Sequence, residues 1–114
     1  MVGVGIFKGI EIEKSKKLLP LARSQRKIEF IGNSITCGYG NEGDSPGCPF
    51  SPATENNYLA YGAITSRNLK ADYMAVAVSG IGVIKNYDSG KITMPVIYDY
   101  VHPNENSLLW DLKK

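Results

Sequence analysis

The spacing of apolar residues changes along this chain, and each change predicts a different element. Residues 3–13 end in apolar–polar alternation, the period of a strand pair with one wet face. Leu18-Leu19-Pro20-Leu21 follows, and then a polar, basic connector. Ile28, Phe30 and Ile31 bring β-branched and aromatic bulk into a short buried strand over residues 27–31. Gly32 then permits a sharp change of direction. From Thr36 to Pro52 glycine and proline recur too often for regular structure, which predicts a long loop of the kind that carries function. Tyr58, Tyr61, Gly62, Thr65 and Leu69 return at helical spacing, so a helix is expected over residues 54–69, capped by Ser51 or Thr54. Tyr58 and Tyr61, at that spacing, are read as core-facing. Tyr73 to Val78 is a near-continuous apolar run, the pattern of a strand buried on both faces. Beyond Ser79 a short helical piece is expected near residues 81–87, then a tail rich in proline, tyrosine and asparagine.

Strand, helix and strand in that order form a βαβ unit, which implies a parallel sheet with a right-handed crossover. Two strands alone leave large apolar faces uncovered, so the pattern reads as the opening of a doubly wound α/β domain. Open α/β sheets present their chemistry beyond the carboxyl ends of the strands. Ser34, two residues past Gly32, stands at that place and is the candidate nucleophile. Gly-Asn-Ser triplets also cap helices and make turns, so the flanking strand and the loop that follows carry the weight of this reading.

Composition changes the picture little. The chain has 114 residues, enough for one domain, with 43% hydrophobic and 21% charged residues. A net charge of +2 does not argue for nucleic acid. Lys14, Lys16, Lys17, Arg23, Arg26 and Lys27 cluster without interleaved aromatic residues, as a solvated connector does. No apolar run is long enough to span a membrane. Met1 to Ile10 is too short and glycine-rich for a signal peptide. Cys37 and Cys48 flank the loop and either bridge in an oxidising compartment or stay free.

One motif misleads. Gly38-Tyr39-Gly40-Asn41-Glu42-Gly43 spells G-x-G-x-x-G, but a dinucleotide fingerprint follows its strand directly and opens a helix. Here Asp44-Ser45-Pro46-Gly47 follows instead, and nucleotide binding is set aside.

Ile28 through Gly40, read as a block, resembles the first motif of the SGNH (GDSL-type) hydrolases, and within them the family two carbohydrate esterases. Thr54 to Tyr61, Ser79 to Val83, and Met94-Pro95 through Tyr98-Asp99 to Trp110-Asp111 extend the resemblance over nearly the whole chain. It implies a flavodoxin-like, three-layer α/β/α fold with a parallel sheet, of which residues 24–114 are the N-terminal half. Residues 1–23 are similar to the last strands of the small jelly-roll domain that precedes it, plus a linker. It implies removal of acetyl groups from xylan-like polysaccharides or small carbohydrate esters. The tyrosines and Trp110 are then candidates to line a sugar-binding cleft, with Tyr58 and Tyr61 read as core-facing in preference to that role. Ser34 is then the nucleophile, and the backbone N–H groups of Ser34 and Gly80 form the oxyanion hole. Gly32 and Asn33 support the turn. No metal or organic cofactor is implied, and the family is usually secreted or periplasmic.

Two departures stand out. Asn33 replaces the usual aspartate, and being nearly isosteric it still orients the turn. The third block, Gly-x-Asn-Asp, and the final Asp-x-x-His are not at their expected places, so the general base is expected outside this chain. Asp99-Tyr100-Val101-His102 does spell Asp-x-x-His, yet it precedes Trp110-Asp111, and Pro103 with Asn104-Glu105-Asn106 marks a surface turn. His102 is read as a loop histidine. The alternative reading is a catalytically incomplete remnant with at most weak carbohydrate binding.

Overall fold

The computed structural model describes residues 6–103 and 108–111. β1 (Lys27–Gly32) and β2 (Asp72–Ala77) lie side by side in parallel, from Lys27 opposite Asp72 to Gly32 opposite Ala77. Both strands fall within one residue of the apolar runs that predict them. α2 (Tyr61–Asn68) joins them and packs against one face of the pair. There the Phe30 ring meets Tyr61 edge-on at 5.7 Å and Tyr73 at 5.6 Å. Gly62 makes this approach possible, since a Cβ at that position would sit 2.9 Å from the Phe30 ring. Ala60, Ala63 and Ser66 are buried beside it.

The single helix expected over residues 54–69 is three pieces. Two 3-10 turns, Pro52–Thr54 and Asn57–Leu59, precede α2. Asn56 is the reason. Its backbone is extended at φ −137°, and its side chain accepts a hydrogen bond from Tyr58 N–H at 3.0 Å, so it caps a new turn. Ser51 caps the first turn by accepting from Ala53 N–H, and α2 itself starts without a side-chain cap. Tyr58 and Tyr61 also depart from the core assignment, being 65% and 49% exposed. The Tyr58 ring instead carries the Arg67 guanidinium 3.8 Å above it.

No strand forms over residues 6–26, where a strand pair and the end of a jelly-roll domain were expected; residues 3–5 of that pair lie outside the described residues. Ile6, Phe7 and Ile10 are largely exposed. A two-stranded hairpin is marginal without a third strand or a covering layer, and among the described residues no strand pairs with this segment. The chain rejoins the fold at Ser24, whose hydroxyl donates to the Lys70 carbonyl, and at Arg26, whose carbonyl accepts from Asp72 N–H at 2.8 Å. Nor is residues 81–87 a helix; it is a loop of bends.

α3 (Met94–Ile97) buries Met94 and Ile97. After it, Tyr98 reaches the opposite face of the sheet and donates its hydroxyl to a Glu29 carboxylate oxygen at 2.8 Å. That hydrogen bond, with the charge of Glu29, holds the Tyr98 phenol above its ordinary pKa. The face around it stays open, with Ile31, Met74 and Trp110 each about half exposed. Among the described residues no helix is long and apolar enough to cross a membrane.

Candidate active site

β1 ends at Gly32, and the chain turns so tightly that a Cβ there would collide with the Thr36 hydroxyl. Asn33 follows in extended conformation and accepts a hydrogen bond from Ile35 N–H at 3.1 Å. It is thus the N-cap of α1 (Ser34–Cys37), the one-turn helix that replaces the start of the expected loop. Ser34 is the first residue of that turn, held at the carboxyl end of β1. Below it Thr36 is buried and shares a hydrogen bond with the Tyr61 hydroxyl at 2.9 Å. The Asn33 side chain does the capping that an aspartate would do, by the same acceptor oxygen.

α1 stops at Gly38, whose φ of +95° closes the helix in the left-handed region. A Cβ at this glycine would stand 2.5 Å from the Asn56 carbonyl oxygen, a backbone atom that cannot swing aside. Around this contact the loop is tied down: Asn41 Nδ2 donates to the Asn56 carbonyl at 2.8 Å, and Asn56 Nδ2 donates to Glu42 at 2.9 Å. Gly38→Ala is therefore expected to cost about 3 kcal/mol by strain and overlap together. Hydrogen exchange at low protein concentration checks it: the amides of residues 36–57 should exchange at least tenfold faster. This is also the structural content of the G-x-G-x-x-G run, which makes turns and opens no helix.

β2 ends at Ala77, and the segment after it passes through Ser79 to Gly80, with φ +80°. Together the two strand ends enclose a cleft of about 600 Å³. Asn33, Ser34 and Tyr39 line it from the β1 side, and Gly80, Lys85 and Tyr87 from the β2 side. The two residues expected to act together thus share one cavity. The backbone N–H groups of Ser34 and of Gly80 have no hydrogen-bond partner among the described residues, nor has the Ser34 hydroxyl. Two uncommitted amides beside one hydroxyl can hold a developing oxyanion.

His102 does not line this cleft. It lies in an antiparallel turn, where Val101 N–H donates to the Leu108 carbonyl and Trp110 N–H to the Asp99 carbonyl. Asn104, Glu105 and Asn106 lie outside the described residues. Among the described residues, no imidazole or carboxylate borders the Ser34 cleft, and no cluster of His, Cys, Asp or Glu has the makings of a metal site.

Cys37 and Cys48 are both free thiols, each half-buried. Burial pushes the Cys37 thiol above its ordinary pKa, a hydrogen bond with Ser79 working the other way. Less thiolate at a given pH means slower alkylation. With iodoacetamide near pH 8, Cys37 should react several-fold more slowly than N-acetylcysteine amide, read by peptide mass spectrometry. Equal rates would remove the burial argument.

Three features of the site were not foreseen from sequence. Tyr39 stacks on Phe50 with ring centroids 5.1 Å apart and planes at 18°. Tyr87 stands on the rim, 97% exposed, its N–H donating to the Gly80 carbonyl at 2.8 Å. Asn86 organises the loop between them: Oδ1 accepts from Gly82 N–H, and Nδ2 donates to the carbonyls of Gly90 and Ile92. An asparagine among glycines is the one local signal that pointed there, since such residues replace helix by turn.

No family model matches the chain. The cellulase/esterase CelE of Acetivibrio thermocellus is 45% identical over 111 residues, which are 95% of this chain and 13% of that protein. An acetylxylan esterase/glucomannan deacetylase of Cellvibrio japonicus is 37% identical over 108 residues, 91% of this chain and 30% of that one. The solved structure of a family two carbohydrate esterase from Clostridium thermocellum, in complex with cellohexaose, superposes with a TM-score of 0.77 at 44% identity. The chain's homologues and structural neighbours are family two carbohydrate esterases. The superposition takes in 86% of this chain and 30% of that structure, so the likeness is to a part of those esterases.

Proposed function

We propose that this chain carries the nucleophile and oxyanion-binding portion of an acetyl esterase acting on acetylated carbohydrate of the xylan-like class. It is set in a three-layer SGNH-type α/β/α domain begun by residues 24–114, with residues 1–23 closing a preceding β domain. The single observation that carries this reading is the shared cleft of Ser34 and Gly80, with both backbone N–H groups uncommitted. Resemblance to esterases over nearly the whole chain supports it.

The chemistry follows from that placement. Ser34 Oγ attacks the acetyl carbonyl carbon while its proton passes to a base that the described cleft residues do not supply. The carbonyl oxygen becomes an oxyanion between the Ser34 and Gly80 amides, each such donor being worth roughly 3 kcal/mol in the transition state. Collapse breaks the ester C–O bond, and the sugar hydroxyl leaves with a proton. Water then attacks the acetyl-serine ester and releases acetate.

A chimera tests this. When this chain replaces the matching segment of the Cellvibrio japonicus esterase, acetate release from acetylated xylan is expected, and Ser34→Ala should lower it at least about 1,000-fold. A folded chimera whose residual activity ignores Ser34 would refute the assignment. The second reading, carbohydrate binding without catalysis, is favoured by the absence of an imidazole or carboxylate among the described residues bordering the cleft. It predicts sugar binding by the chain without turnover.

A further inference from the structure

Among the described residues that line the Ser34 cleft, Lys85 is the one side chain charged at neutral pH. It makes no ion pair or side-chain hydrogen bond with a described residue. Its backbone, by contrast, is pinned. The Lys85 carbonyl fills the space where a Cβ of Gly82 would stand, so residues 82 and 85 close on each other. On the next residue, Asn86 accepts from Gly82 N–H at 2.9 Å and donates to Gly90 at 3.1 Å and Ile92 at 2.8 Å. One residue further, Tyr87 N–H holds the Gly80 carbonyl at 2.8 Å. Lys85 thus borders the cavity from a braced loop, and its exposed side chain has only its own torsions to order on meeting a ligand.

From this we infer that the cleft selects acetylated carbohydrates that also carry a carboxylate, of the uronic-acid class, with Lys85 as the residue that recognises the acid. The inference rests on the reading of this cleft as a carbohydrate site and adds a charge requirement to it. A neutral polysaccharide leaves the ammonium group solvated at the cavity wall, with nothing gained. A sugar carboxylate placed within a few ångströms forms a charge-assisted contact, and no carboxylate among the described cleft-lining residues competes for the lysine. Because Lys85 is exposed, the contact is of the surface kind, strong enough to rank substrates and weak enough to release product.

Binding of two probes to the full chain, immobilised at low density, tests this by interferometry. One is an acetylated xylo-oligosaccharide bearing a single glucuronic acid; the other is the same oligosaccharide without it. At about 20 mM salt the acidic probe should bind about fivefold more tightly. That preference should fade toward unity at about 500 mM salt, as screening requires. Lys85→Gln should abolish the preference, and Lys85→Arg should restore it. Lys8→Gln, on the exposed leading segment, should leave it intact. Equal wild-type affinities, no binding of either probe, a preference that survives Lys85→Gln, or one lost equally in Lys8→Gln would each overturn the inference. Failure of the esterase reading shows elsewhere, in acetate release by the folded chimera that ignores Ser34 while the Lys85-dependent preference of the chain persists.

Discussion

Purified by itself, the 114-residue chain is expected to hydrolyse an activated acetyl ester no faster than its own Ser34→Ala variant. The physical reason is the protonation state of the serine. A neutral hydroxyl is a weak nucleophile, and a positioned general base is worth about 100- to 10,000-fold. The Ser34 hydroxyl has no hydrogen-bond partner among the described residues, and neither an imidazole nor a carboxylate borders its cleft among them. The oxyanion donors alone stabilise charge after attack has begun and cannot remove the proton that attack releases. Initial rates on p-nitrophenyl acetate from near pH 6 to pH 9, for both proteins, settle the point. A Ser34-dependent rate that His102→Gln abolishes would identify His102 as the base and reverse its assignment to a loop.

Self-association of the same chain is the second large effect expected. The sheet face away from α2 presents Ile31 and Met74, with Trp110 beside Met74, at 49%, 54% and 52% exposure, apolar surface of the sort that soluble monomers cover. Each strand has one partner, so the outer edge of the pair also offers unpaired backbone groups. Sedimentation at about 50 μM should show oligomers, with dye binding to exposed apolar surface. Met74→Lys should shift the distribution toward monomer. Met74 lies directly opposite Glu29 in the parallel register, so the new ammonium group meets a carboxylate and the strands stay paired. A wild-type chain that sediments as monomer at this concentration would contradict the account.

These two expectations share one cause, which the fold makes visible. The strand ends of β1 and β2 are built well enough to present Ser34 and Gly80 to one cavity, while the sheet behind them is covered on one face only. The Ser34 turn is locally determined: Gly32 for the tight bend, Asn33 for the cap, Gly38 for the left-handed stop. Such short-range devices do not need a complete domain. Burial of Ile31 and Met74 does.

The sequence by itself determined the two strands, because runs of β-branched and aromatic residues have few other uses, and their parallel pairing, because a helical segment separates them. It also determined the nucleophile candidate, since a serine just beyond a strand end is a local property. What it misjudged were elements whose form depends on contacts. The alternating residues near 6–13 have a strand's period and no strand partner among the described residues, and they are irregular. Asn56 broke a helix that spacing alone would continue, because its side chain found Tyr58 N–H and Glu42. Tyr58 fell in a separate 3-10 turn ahead of α2 and turned outward, whereas Tyr61 opens α2 half exposed with its ring still edge-on to Phe30. Only the tertiary structure decided that the loop after Gly80 folds back to place Lys85 and Tyr87 opposite Ser34 and leaves His102 elsewhere. Those placements come from the Asn86 hydrogen bonds and the closure of residues 82 and 85, which join residues through space and leave no periodicity to read.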